Sequence, residues 1–185
     1  MNIFEVKQTM LEKGIPTEVM GQFLIPETEA GTPEEKLAFV NQMDKLLTKE
    51  QILSIMQEQG CQKTEHTADV MLKLKGKPIE ERVKIMEPMF TATDGITRIR
   101  LNSDGQLSVY WAFTEENGKY RCVCPIMEKL SKSAAVSLTF CGCCSGHIKY
   151  HFEQDLEVKL RLIDTVSSAL SSSGEKYCEH LFEIL

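Results

Sequence analysis

Gly95-Ile96-Thr97-Arg98-Ile99-Arg100-Leu101-Asn102-Ser103-Asp104-Gly105-Gln106-Leu107-Ser108-Val109-Tyr110-Trp111-Ala112-Phe113 is where the chain changes period. Ile96, Arg98 and Arg100 alternate with Thr97, Ile99 and Leu101, the two-residue period of a strand with two different faces. Ser103-Asp104-Gly105 is a hairpin turn, and Leu107 to Phe113 is the strand it returns into. That second strand carries large apolar residues on both faces, so it is expected at the centre of a sheet and covered on both sides. Glu116-Asn117-Gly118 turns the chain again, and Tyr120 to Cys124 reads as a third strand ended by Pro125.

Upstream of Gly95 the period is helical. Residues 2 to 13 read as a helix stopped by Gly14, and a second short helix follows Pro16 to about Leu24. Thr32-Pro33-Glu34-Glu35 places an N-cap, a proline at N1 and a glutamate at N3, a capping box that opens a helix with Leu37, Phe39, Val40, Met43, Leu46 and Leu47 on one stripe. Thr48 to Gln51 repeats the signal, with Ile52, Leu53, Ile55 and Met56 apolar and Gly60 at the end. Further helices are expected over residues 66–74 and Ile79 to Met86, closed by Pro88. Downstream, Ser145 to Leu156 reads as one helix. Val158 to Val166 and Tyr177 to Leu185 read as a last pair of strands around the serine-rich Ser167 to Gly174 turn. The expected fold class is α+β: N-terminal helices packed on a C-terminal antiparallel sheet with one inserted helix. A single domain over residues 1–185 is expected, with a helical part over 1–90 and a cysteine-rich α+β part over 91–185.

Composition narrows the function classes. Of 185 residues, 42% are hydrophobic and 26% charged, ordinary for a globular protein. The net charge of −6 argues against a nucleic-acid backbone as partner, which needs clustered Lys and Arg. No run approaches a membrane span, and the start at Met1-Asn2-Ile3-Phe4 lacks the basic and apolar regions of a secretion signal, so a cytoplasmic location is expected. No Gly-rich phosphate loop and no nucleophile elbow is present.

The cysteines mark the place where function is expected. Five of seven fall between Cys122 and Cys144, where a random scatter would put about one. Cys122-Val123-Cys124-Pro125 would present two sulfurs on one strand face. Cys141-Gly142-Cys143-Cys144 has the same spacing just before the expected helix, whose N-terminus favours thiolates. Two converging pairs would give a four-sulfur site from Cys122, Cys124, Cys141 and Cys143, with Cys144 and His147 as substitutes, suited to zinc or an iron–sulfur cluster, with zinc as the expected metal. A redox or catalytic thiol site, and simple burial of the thiols as small hydrophobes, are the other readings. His147 and His151 share a helix face, a spacing that zinc-binding helices use and that a solvated helix also shows. Cys61 and His66 could bring ligands from the helical half. Cys178 shares a strand face with His180, Phe182 and Ile184 and reads as core.

The residues from Cys122 to Gly146 also resemble a bacterial group. Its members carry Cys-x-Cys-Pro after a β-hairpin, then a Cys-x-Cys-Ser-x-Gly-like segment opening a helix that ends in a Phe-Glu pair, here Phe152-Glu153. The group is similar to the 2-aminothiazoline-4-carboxylate hydrolase-like proteins and, more distantly, to the vinyl-4-reductase-like, hydrocarbon-binding domain. The resemblance covers roughly the last 90 residues. It implies a TRAPP-like α+β fold, a homodimer and a small apolar or acidic ligand. The combined expectation is a cytoplasmic small-molecule-binding domain with a cysteine-rich site and hydrolase-like chemistry. The alternative is a non-catalytic sensor or scaffold with a structural metal held by cysteines.

Overall fold

The computed structural model describes residues 1–26, 28, 31–60, 73–87, 96–127 and 136–185. Four helices come first: α1 (Ile3–Glu12), α2 (Thr17–Met20), α3 (Pro33–Leu46) and α4 (Lys49–Met56). Both expected capping boxes form. Thr32 Oγ1 accepts from the Glu35 amide at 3.1 Å while Glu35 returns a carboxylate to the Thr32 amide at 2.6 Å; Thr48 and Gln51 do the same at 3.2 and 2.8 Å. Then α5 (Ile79–Met86) matches its expected bounds. The helix expected over 66–74 falls almost wholly outside the described residues, as does the stop at Pro88.

The second half holds β1 (Ile96–Leu101), β2 (Leu107–Glu116), β3 (Lys119–Cys122), α6 (Leu138–Leu156), β4 (Leu160–Ser167) and β5 (Glu179–Ile184). The described strands form one antiparallel sheet in the order β1-β2-β5-β4, with β3 also on β2. Phe113 is paired with Ile96 on one side and Cys122 on the other. So β3 lies on the same edge of β2 as β5, end to end with it. The fold class is α+β, with helices in the N-terminal half and the sheet in the C-terminal half, and β2 is central.

The inserted helix begins earlier than its expected start at Ser145. It begins at Leu138, with Ser137 as N-cap accepting from the Thr139 amide at 3.1 Å. Seven residues thereby move from an expected loop into the helix, Cys141, Cys143 and Cys144 among them. Leu138 to Cys144 is poor in strong helix formers, and N3 is Phe140 rather than Glu or Gln, so neither propensity nor a capping box announces it. Strand β3 also stops at Cys122, two residues short of expectation.

This longer α6 joins the two halves of the core. Its first turns put Phe140 and Cys143 into a cluster with Ile3, Val6, Met10, Phe39, Met43 and Met56 of the N-terminal helices. Its later turns put Ile148, Phe152 and Leu156 onto Leu107, Val109, Leu162 and Phe182 of the sheet. Much of the N-terminal helical packing on the sheet is therefore relayed through α6. Glu153, expected at the helix end, accepts from the Leu160 amide at 2.8 Å and so starts β4. Glu157 closes the helix at φ 49. Coverage of β2 is uneven: Leu107 and Val109 are buried under α6, whereas Tyr110 on the other face is half-exposed.

Arg82 on α5 ties these ends together. Its guanidinium donates to the carbonyls of Lys77 and Leu156 and pairs with Glu157 at 3.0 Å, satisfying a last-turn carbonyl of α6. Arg82→Ala is expected to lower unfolding stability by about 1–3 kcal/mol, and Arg82→Lys to recover only part, since an ammonium lacks the fork. Urea midpoints check this; an unchanged midpoint for Arg82→Ala would remove the cap assignment.

Candidate functional site

Three thiols meet at the junction of β3 and β5. Cys122 ends β3, Cys124 follows it, and Cys178 precedes β5. Cys122 packs against a cluster of Phe113, Ala169 and Cys178. Two amides join in: Cys124 N–H donates to the Cys122 sulfur and Ala169 N–H to the Cys178 sulfur, each at 3.4 Å. The neighbouring Cys122 lowers the pKa of Cys178, with burial opposing. Cys122 is drawn down by Cys124, but Cys178 and burial push it up to about 12. Cys124 is pushed well up by Cys122 and by burial.

The helix places the remaining thiols elsewhere. Residues i and i+2 of a helix stand about 200° apart, so Cys141 and Cys143 do not form the parallel pair that strand spacing would give. Cys141 donates to Ser168 Oγ at 3.1 Å, and burial pushes it up to about 12. Cys143 takes a hydrogen bond from Cys144, which lowers the first and raises the second. Cys141 and Cys143 are buried, while Cys122, Cys124 and Cys144 are half-buried. Among the described residues, no group of three or more His, Cys, Asp or Glu side chains is arranged to hold a metal ion. Cys61 and His66 lie outside the described residues.

The histidine pair is not on a solvated face. His151 is buried, and the His147 ring lies 4.3 Å from it and 5.0 Å from Trp111. Asp155, one turn further and also buried, is pushed up to about 6 by burial, with His151 opposing. A second buried polar group was not foreseen. Ser145 Oγ lies 2.7 Å from His180 Nδ1 and 3.2 Å from Thr165 Oγ1, and all three residues are buried. Among the described residues His180 Nε2 has no hydrogen-bond partner, and burial pushes the imidazole down to about 3.

Two cavities flank β3. The larger, about 650 Å³, is lined by residues of β1, β2, β3 and α5 and by Tyr177. Four rings wall it: Tyr110, Phe113, Tyr120 and Tyr177. Tyr177 sits 5.2 Å from Tyr110, 5.9 Å from Phe113 and 5.6 Å from Tyr120, centroid to centroid. A β-bulge opposite Ile96 and Arg98 brings Tyr110 and Phe113 to this shared face, although their spacing is odd. Arg98 is the ladder partner of Tyr110, and the Arg100 guanidinium carbon is 6.0 Å from the Tyr110 ring centre. Val83 and Lys84 of α5, with Glu80, Glu87 and Glu115, also line the space. The second cavity, about 620 Å³, exposes Cys122 between Lys119, Arg121 and Leu170, and Tyr120 separates it from the first. Tyr110 and Phe113 belong to the strand that the sequence places at the centre of the sheet; Tyr120, Tyr177 and the two arginines join them only through strand order.

No protein-family model matches the chain, and no curated protein matches it in sequence. A solved structure of an H-NOX protein from S. oneidensis, in the Fe(II)NO ligation state, is similar over 98% of each chain at 11% identity and a TM-score of 0.34. Likeness at that level carries no argument about this chain. No helix of the described residues is long and apolar enough to cross a membrane.

Proposed function

We propose that this chain is a small-molecule-binding domain whose ligand is a compact aromatic or apolar body bearing an acidic group, held in the cavity of about 650 Å³ against β1 and β2. The observation that carries the reading is the four-ring wall with Arg98 and Arg100 set on the same strand face as Tyr110. Aromatic rings offer large apolar area at fixed geometry, and a guanidinium resting on a ring is weakly hydrated and free to pair with a carboxylate. The size suits a small ligand. Its described lining holds no Cys, Ser or His. A hydrolase-like reaction would then draw its nucleophile from Cys122, on the other side of Tyr120.

Titration calorimetry with aromatic carboxylates and their neutral alcohol analogues tests the reading. Arg100→Gln is expected to weaken the acids about ten-fold and leave the neutral analogues nearly unchanged, because only the charge-assisted hydrogen bond is lost. Tyr177→Ala is expected to weaken both. Equal effects of Arg100→Gln on acid and alcohol would remove the arginine's role, and no binding by any member at millimolar concentration would sink the site.

A further inference from the structure

A separate observation, Cys122 lining the second cavity and packed against the cluster that holds Cys178, supports a second activity. We propose that Cys122 and Cys178 form a thiol–disulfide exchange site for a small, carboxylate-bearing disulfide that enters the cavity beside β3. Only one of the three sulfur-bearing residues, Cys122, lines that cavity, while Cys178 lies behind it, buried. The described lining has two cations, Lys119 and Arg121, and no acid. Each cation also reaches an exposed glutamate, Glu175 at 3.5 Å and Glu116 at 2.9 Å, and those pairs are solvent-screened and exchangeable.

The backbone holds the two cysteines within bonding reach. Trp111 N–H donates to the Cys178 carbonyl at 3.2 Å, and Phe113 is the ladder partner of Cys122 on the same edge of β2. Two strand steps are roughly 7 Å, and the bulge in β2 between Tyr110 and Phe113 shortens them. A disulfide joins Cα atoms about 4.4–6.8 Å apart. Cys122 packs against the cluster that holds Cys178 together with Phe113 and Ala169.

The chemistry closes in two exchanges. Cys122, its proton lost to water, attacks one sulfur of the incoming disulfide. The S–S bond breaks, and the departing thiolate takes a proton from water. Cys178, whose sulfur accepts from the Ala169 amide, then loses its own proton to water, attacks the Cys122 sulfur and expels the second thiolate, which is protonated in turn. The two protein sulfurs are oxidised by two electrons, and the small disulfide is reduced to two thiols.

The test uses the full chain carrying Cys61→Ser, reduced and then exposed to glutathione disulfide, with peptide mapping by mass spectrometry. The expected product is a Cys122–Cys178 disulfide with two glutathione molecules released per chain. With Cys178→Ser added, the reaction should stop at a glutathione adduct on Cys122. With Cys122→Ser added, both the disulfide and the adduct should be lost. The first measurement needs no change in the cluster, so poor folding of a variant does not decide it. A Cys122–Cys124 product, a first adduct on Cys144 or Cys178, or a Cys122 that stays unmodified under conditions that modify the denatured chain would each overturn the proposal.

Discussion

Gly146→Ala is expected to destabilise the protein by about 3–5 kcal/mol, among the largest effects of any single methyl group in the chain. A Cβ built on Gly146 would lie 1.6 Å from the carbonyl oxygen of Gln59 and 2.6 Å from its carbon. That obstacle is backbone, so no rotamer relieves it. Gln59 cannot retreat cheaply either. It is buried, and its side-chain amide donates to Thr9 Oγ1 on α1 at 3.0 Å and to the Ile55 carbonyl at 3.2 Å. Separating α6 from Gln59 would thus disturb α1 and α4 together. Gly142 is the graded comparison: its added Cβ would meet the Met56 side chain at 2.8 Å, a contact that side-chain movement partly relieves. About 1–3 kcal/mol is expected there. Thermal unfolding should place Gly146→Ala roughly 10 °C below the parent. A midpoint within a degree or two of the parent would mean that α6 does not approach Gln59 this closely.

The same glycines explain what sequence reasoning could and could not reach. Thr32 with Glu35, and Thr48 with Gln51, fix α3 and α4 because both partners lie within one turn and no distant contact is needed. Asp104-Gly105 and Asn117-Gly118 fix the hairpins for the same reason: each turn carries its own conformational demand, with Gly105 at φ 82 and Gly118 at φ 73. The start of α6 obeys a different rule. Gly142 and Gly146 lower helix propensity where the chain is nevertheless helical, because Met56 and Gln59 need that space. Without those neighbours in view, Cys141 to Cys144 reads as a segment ahead of the helix with strand-like sulfur spacing, and a four-sulfur site from Cys122, Cys124, Cys141 and Cys143 follows from it. The partner that Cys122 does face, Cys178, lies across strand order. No local pattern announces that β5 and β3 share one edge of β2.

Stability between pH 4 and 6.5 is expected to reveal two buried groups acting in opposite directions. His180, pushed down to about 3 by burial, stays neutral in the folded chain while the unfolded chain binds a proton near pH 6.5. Between those values the unfolded state holds more protons, so stability rises with pH: it is complete above about 6.5 and is lost at about 1.4 kcal/mol per unit on acidification. The full loss by pH 3 amounts to about 3–5 kcal/mol. Asp155 runs the other way. Its folded value of about 6 lies above the unfolded value near 3.9, so the folded state holds the extra proton and stability falls as pH rises across that range. The two slopes nearly cancel from about pH 4 to 6, leaving the parent almost flat there. Asp155→Asn removes one of them. Its stability should fall steadily from pH 6.5 to 4 by about 3 kcal/mol relative to its own neutral value, a slope the parent lacks. Urea unfolding of both chains at several pH values measures this directly. A flat Asp155→Asn profile would show that the imidazole bonded to Ser145 is not held neutral. Parallel slopes in the two chains would show that the Asp155 carboxyl is not raised by its burial.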